Sequence, residues 1–260
     1  MPTFRLLLEY DGTDFAGWQS QKQGERTVQG TLAAALAEIA GQAVRVTGAG
    51  RTDAGVHAEG QVAATTLDTR LDAETLARAL NAKLPSDLAV LAVSPAADGF
   101  DPRREARSKL YRYAIWNGGA PSPLRLRRSH HVREPLDLAA MQSAAVALVG
   151  RQDFASFQAA GSRVGSTVRS LSRVCVAGEA RGELRFELEG DGFLRHMVRN
   201  VVGTLLEIGL GRRAPDSLPA LLAARDRTRA GPTAPACGLT LVRVDYGDGV
   251  GYPTRLPGGM

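Results

Sequence analysis

Thiols are scarce in this sequence: Cys175 and Cys237 are the only cysteines among 260 residues. Two cysteines cannot build a disulfide framework, and neither has a partner at metal-ligand spacing, so buried free thiols in a reducing compartment are expected. His57, His130 and His131 form no ligand pattern with them either, so no metal site is expected. No apolar run approaches the roughly 20 residues needed to cross a bilayer. The N-terminus, Met1-Pro2-Thr3-Phe4-Arg5, enters an apolar strand directly and lacks the charged-then-apolar layout of a secretion signal. By elimination the expected location is cytoplasmic, with no membrane partner. Aromatic residues make up 5% of the chain, so any stacking on nucleobases would use few positions. Neither a short-period repeat nor a long low-complexity tract is present.

What is present describes an ordinary globular chain, 44% hydrophobic and 23% charged, with apolar material for a sizeable core. The length exceeds the usual single-domain range and suggests two modest domains or one elongated pair. The net charge is +5, from 32 Lys and Arg against 27 Asp and Glu, with a pI near 9.6. A basic balance favours polyanionic partners but bears on association, not on fold. Its distribution says more. Between Asp101 and Arg133 lie Arg103, Arg104, Arg107, Lys109, Arg112, Arg125, Arg127, Arg128 and Arg133, opposed only by Asp101 and Glu105. The planar fork of arginine suits phosphate, and clustering this one-sided favours nucleic acid over a merely solvated face.

Along the chain, Phe4 to Tyr10 reads as a strand closed by the turn Asp11-Gly12-Thr13. Val28, Leu32, Leu36 and Ile39 recur at helical spacing, and Val44 to Thr47 and Gln61 to Leu67 read as strands. Asp72 caps a helix through Leu76, Leu80 and Leu84, and Leu88 to Val93 returns as a strand. The second half repeats the order. Leu110 to Trp116 is a strand, Asp137 caps a helix, and Leu171 to Val176 with Leu184 to Leu188 forms a hairpin. A long helix then runs from Phe193 to Ile208, a short one from Asp216 to Ala224, and Leu239 to Val244 closes the unit. Two β-α-β-β-α-β units predict an α+β fold of two ferredoxin-like halves. Their mainly antiparallel sheet carries helices on one face, which leaves the other free for a ligand. The expected division is 1–100, 101–246 and a mobile Gly- and Pro-rich tail, 247–260.

The glycine-rich segment from Gly48 to His57 joins two of these strands. Gly48-x-Gly50-x-x-Asp53 puts an aspartate where a dinucleotide fingerprint needs glycine or alanine. Gly50-x-x-x-x-Gly55 is followed by Val56-His57, not by the Lys and Ser or Thr of a phosphate loop. What remains is Arg51 and Asp53, two residues apart in a flexible linker. An Asp turn beside a surface Arg is the ordinary reading. Three glycines in eight positions weaken it, because they let a backbone or ligand approach closely. An adjacent guanidinium would keep a partly buried carboxylate ionised, as a nucleophile or base requires.

The segment Gly50-Arg51-Thr52-Asp53-Ala54-Gly55-Val56-His57-Ala58 resembles the signature of the tRNA pseudouridine synthase A family. Other landmarks of that family follow in order. They are Tyr10-Asp11-Gly12 with Phe15-x-Gly17-Trp18-Gln19, then Val28-Gln29-Gly30, then Ala106-Arg107 leading to Lys109-x-Tyr111-x-Tyr113. Asp153-Phe154-x-Ser156-Phe157, Phe193-Leu194-x-His196-Met197-Val198-Arg199-Asn200 and Ala234-Pro235-Ala236-x-Gly238-Leu239 complete the set, and the likeness spans Phe4 to Tyr246. One departure is Asp191, where asparagine is expected between Gly190 and Gly192.

The resemblance implies conversion of uridine to pseudouridine at positions 38, 39 and 40 in the anticodon stem-loop of tRNA. It implies base flipping, Asp53 as nucleophile and no cofactor. Arg51 would pair with Asp53 and then fill the space vacated by the flipped nucleotide, Tyr111 would stack on the target uracil and could remove its C5 proton, and Leu239 would wall its pocket. Arg195 and Arg199, taken to share one helix face, are available for phosphate. His196 reads as a helix-surface or packing residue, and Tyr113 as core. A homodimer with tRNA contacting both subunits is also implied. The competing reading is a non-catalytic RNA-binding protein that uses the two halves and the basic face.

Overall fold

The computed structural model describes residues 1–20, 24–162 and 164–247. Most of the expected mobile tail, from 248 onward, lies outside the described residues. The first half runs β1 (Thr3–Tyr10), α1 (Val28–Ala40), β2 (Val46–Gly48), β3 (His57–Thr66), α2 (Ala73–Asn81) and β4 (Leu88–Ala96). The second half begins with β5 (Ser108–Trp116), β6 (His130–His131), α3 (Leu138–Ala145), β7 (Gly150–Asp153) and β8 (Val168–Gly178). It closes with β9 (Glu183–Gly190), α4 (Met197–Gly209), α5 (Leu218–Ala224) and β10 (Leu239–Asp245).

Local chemistry explains where the helices start. The side chains of Thr27, Asp72 and Asp137 accept hydrogen bonds from the backbone N–H of Gly30, Thr75 and Ala140, satisfying amides that the first turn leaves unpaired. Each helix buries one stripe: Val28, Leu32 and Leu36 in α1, Leu76 and Leu80 in α2, Met141 and Ala145 in α3. α4 differs, being buried nearly all round, because the strap from Gly231 to Ala234 crosses its outer side. Asn200 in α4 is fully buried yet satisfied, donating to the Phe157 carbonyl (2.8 Å) and accepting from Thr233 (2.7 Å) and Arg227 (3.0 Å).

The strands form one sheet in the order β4-β1-β3-β10-β5-β9-β8-β7, with β2 also on β3 and β6 on β5. Each half therefore repeats one arrangement of its four main strands, β4-β1-β3-β2 and β10-β5-β9-β8. The α+β class read from the sequence is the one observed. β7 is an added edge strand that the sequence reading lacked. The halves join where β10 runs parallel to the start of β3, pairing Thr240 with His57 and Leu241 with Ala58.

The two faces of the sheet differ in character. Tyr113, Phe186 and Leu188 are fully buried toward the helices. The opposite face carries ion pairs: Arg112 with Glu59 (3.2 Å) and Glu187 (3.7 Å), Arg173 with Glu187 (2.8 Å), and Arg243 with Glu189 (2.8 Å).

Three details correct the sequence reading. The large cavity opens on the helix-bearing face, not opposite it. Its wall includes Gly30 and Ala33 of α1 and Met197 and Val198 of α4, together with Tyr111 of β5. Second, α4 begins at Met197, because His196 takes a left-handed backbone (φ 60°) that interrupts helical continuation. Phe193 and Arg195 thus belong to the preceding turn and share no helix face with Met197 or Arg199. Third, β3 starts at His57, four residues earlier than its apolar run suggested.

The strap lies so close to α4 that a Cβ added at Gly203 would sit 1.7 Å from the Pro232 carbonyl oxygen. Helix propensity alone would make Gly203→Ala stabilising by about 1 kcal/mol. The clash reverses the sign, and a net loss of about 1–3 kcal/mol is expected, read as a lower midpoint in denaturant.

Candidate active site

The loop between β2 and β3 is held by the chain that follows β1. Trp18 donates its backbone N–H to the Thr52 carbonyl (3.0 Å), and Tyr10 and Thr52 share a hydroxyl hydrogen bond (2.9 Å). Gly12 donates its N–H to His57 Nδ1 (3.1 Å), which leaves the His57 Nε2–H to donate to the Cys237 carbonyl (3.1 Å). His57 thus clasps the end of the loop to the segment leading into β10. Two glycines permit this proximity. A Cβ at Gly12 would lie 1.9 Å from the Val56 oxygen, and Gly17, at φ 97°, would place one 2.8 Å from the Thr52 oxygen. The glycines of the Tyr10-Asp11-Gly12 and Phe15-x-Gly17-Trp18 motifs therefore serve the loop that holds Asp53.

The Asp53 carboxylate meets the second half of the chain. Its Oδ2 lies 3.2 Å from Arg199 Nη1 and 3.4 Å from His196 Nε2. Arg199 is anchored in turn, its Nε donating to the Ala234 carbonyl (2.7 Å). The expected Arg51–Asp53 pair is absent among the described residues. Arg51 is exposed on the wall of the same cavity as Asp53. Arg199 was expected to meet phosphate; it is the carboxylate's partner instead.

Tyr111 is buried and lies edge-on to Phe193, with ring centroids 5.0 Å apart and planes at 77°. Burial, reinforced by Tyr10 and Asp53 nearby, pushes its phenol pKa well up. Tyr113 donates its hydroxyl to the Pro235 carbonyl (2.8 Å), a satisfied core residue. Leu239 is buried opposite Tyr113 at the start of β10. Asp53, Arg51, Tyr111, Leu239 and Arg199 all line one cavity of about 1590 Å³.

His196 is the residue whose part was missed, although its motif was quoted. Its left-handed backbone, uncommon for a non-glycine, turns its ring toward Asp53 and the cavity. Burial lowers the imidazole pKa; Arg199, Arg195 and Arg227 add to the lowering, and Asp53 alone among these neighbours opposes it. No local pattern could show this, since helical numbering placed His196 on a helix that has not yet begun.

The cavity wall is strongly basic, with Arg45, Arg51, Arg103, Arg104, Lys109, Arg169, Arg195 and Arg199 against Asp53 and Asp101. The arginine-rich stretch divides here. Arg103 and Arg104 face the cleft, whereas Arg125 pairs with Glu183, Arg127 with Asp14 (3.5 Å) and Arg128 with Asp11 (3.4 Å) at the exposed surface. Cys175 and Cys237 are unpaired and half-buried. Among the described residues no cluster of His, Cys, Asp or Glu could hold a metal, and no helix is long and apolar enough to cross a membrane.

A basic cleft of this size, with an aspartate held by an arginine in its wall, can accommodate a polyanion beside a fixed carboxylate. The family model described as tRNA pseudouridine synthase matches residues 7–103 and 144–247, and the chain belongs to that family. Relatives named tRNA pseudouridine synthase A cover almost the whole chain. The Myxococcus xanthus protein is 45% identical over 259 residues, spanning 100% of this chain and 97% of its own length. Those from Moorella thermoacetica and Pelobacter propionicus are each 47% identical over 247 residues, 95% of this chain and 100% of theirs. The resemblance read from the motifs is thereby borne out.

The geometry makes the titration of His196 diagnostic. By NMR its ring should titrate below the ordinary histidine value of about 6.5. Asp53→Asn removes the one neighbour that favours the imidazolium, so the pKa should fall further. A rise in that variant would contradict the observed contact.

Proposed function

We infer that this chain isomerises uridine to pseudouridine in tRNA, and that Asp53 is its nucleophile. The enzyme class rests on family membership. The assignment of Asp53 is supported by one observation above others: its carboxylate is oriented by Arg199 (3.2 Å) in the wall of the basic cavity. The isomerisation breaks the bond between C1′ and N1, turns the uracil, and forms a bond between C1′ and C5. The proton lost from C5 is balanced by one gained at N1, so no oxidant, reductant or cofactor is consumed. Asp53 can assist by attacking C1′, by attacking C6, or by taking a proton from the sugar. Each route needs the uridine drawn out of its helix into the cavity.

The remaining roles follow from position. Tyr111 stacks on the target uracil, and burial keeps its phenol protonated in the free protein. Leu239 supplies an apolar wall. Arg51, exposed at the cavity and free of Asp53, can enter the space left by the flipped nucleotide. Arg199 acts as the residue that positions Asp53. The substrate segment is the anticodon stem-loop, at positions 38, 39 and 40, and the active form is a homodimer with one tRNA touching both subunits. The chain works in the cytoplasm as two units, 1–100 and 101–246. Support for the stem-loop and the dimer comes from the resemblance, and for the location from the sequence features.

Replacing Asp53 by Ala or Asn separates this reading from a non-catalytic RNA-binding protein. With the variant as the only source of enzyme, carbodiimide mapping of tRNA should find no pseudouridine in the anticodon arm, while tRNA still binds. Persistent modification would remove Asp53 from the mechanism. Sedimentation of the purified chain at about twice the monomer mass would support the dimer.

A further inference from the structure

We propose that Lys109, Arg103 and Arg169 form a subsite for one backbone phosphate of the RNA strand, adjoining the nucleotide held at Asp53. The proposal rests on the tRNA reading above and specifies how that cleft grips its strand. Lys109 lies in β5 two residues before Tyr111, so both side chains stand on the cavity face. It borders the Asp53 loop directly, since a Cβ built at Gly50 would be 3.6 Å from Lys109 Nζ. Asp53 is three Cα–Cα steps from Gly50, which bounds their Cα separation at about 11 Å. That is the reach of a nucleotide and its flanking phosphate.

The ammonium is mostly buried, yet among the described residues no side chain or carbonyl pairs with it. The charges that act on it are cations, Arg103 and Arg169. Burial, then Arg103 and Arg169, push its pKa down to about 8. Asp101, a carboxylate of the same cavity wall, is committed to the backbone N–H groups of Arg103 (2.9 Å) and Arg104 (3.1 Å). Arg169 is held in place by bonds from Nη1 to the carbonyls of Ser166 (3.0 Å) and Val168 (2.6 Å) while lining the same cavity. A buried, unpaired charge among like charges is costly in the free protein. A phosphate relieves that cost with anionic acceptor oxygens, and a tethered guanidinium meets it with little further ordering.

The test is equilibrium binding of an unmodified tRNA transcript to the full chain carrying Asp53→Asn, so that no turnover intervenes. Adding Lys109→Gln should weaken binding by roughly tenfold or more at neutral pH. It should also reduce the slope of log K against log salt by about one contact. Only the protonated lysine holds phosphate, so the parent should bind with constant Kd at lower pH and weaken as pH rises through about 8. With Asp53 substituted in the parent, the other charged or titratable groups on the cavity wall are Arg45, Arg51, Asp101, Arg103, Arg104, Arg169, Arg195, Arg199, the Tyr111 phenol, raised by burial, and His196, whose pKa burial holds below its ordinary value. Arginine and carboxylate side chains do not ordinarily change charge between about pH 7 and 9. Lys109→Arg should therefore keep affinity and lose the alkaline weakening. Thermal denaturation controls for folding, because removing an unpaired buried charge should leave Tm unchanged or higher. An unaltered Kd and salt slope in Lys109→Gln, or the parent's pH profile in Lys109→Arg, would overturn the subsite alone. Failure of the parent to bind tRNA at any pH would instead overturn the tRNA reading beneath it.

Discussion

The ion pair between Asp53 and Arg199 is the contact on which the site depends. The two residues are 146 positions apart and belong to different halves of the molecule. Asp53 hangs from the loop after β2, and Arg199 stands in the first turn of α4. Neither half alone can orient the carboxylate. The seam they bridge is narrow in backbone terms, with two registered residue pairs between β3 and β10. Side chains supply the rest: His57 ties Gly12 to the Cys237 carbonyl, and Arg199 ties Asp53 to the Ala234 carbonyl. Such an interdomain site demands a rigid seam, because a displacement of about 1 Å is enough to spoil a reactive geometry.

Much of the N-terminal half reads as a mount for one loop. Strand β1 delivers Tyr10 to Thr52, and the turn beyond it brings Gly12, Gly17 and Trp18 against the loop backbone. Close packing of backbone on backbone fixes the loop without covering Asp53, whose side chain keeps 29% of its surface open to the cavity. On the other side, the strap from Gly231 to Ala234 presses on α4 and holds Arg199 through the Ala234 carbonyl. Basic side chains then line the cleft almost without counter-charge. A polyanion is the partner that such a wall accommodates.

The legible parts of the fold were those governed by local rules. Capping at Asp72 and Asp137, the apolar spacing of α1 and α2, and the hairpin of β8 and β9 all depend on residues a few positions apart. The illegible parts depended on distant contacts. β3 reaches back to His57 because β1 and β10 pair with its first residues, although Glu59 and Gly60 break the apolar pattern there. β7 is short and polar, and only β8 beside it makes it a strand. At the site, proximity in sequence pointed Arg51 toward Asp53, whereas the fold brought Arg199. His196 looked like one more helical position until its left-handed backbone placed it against the carboxylate.

The sequence by itself determined the α+β class, the doubled β-α-β-β-α-β order, the family and the loop carrying Asp53. Those properties are written in periodicity, caps and short motifs, each complete within about a dozen residues. Only the tertiary structure decided what Asp53 touches, which arginines of the basic stretch face the cleft, and on which face of the sheet the cleft opens. Contacts across the seam between halves carry no periodic signal along the chain, so they exist only once β3 and β10 have been laid side by side.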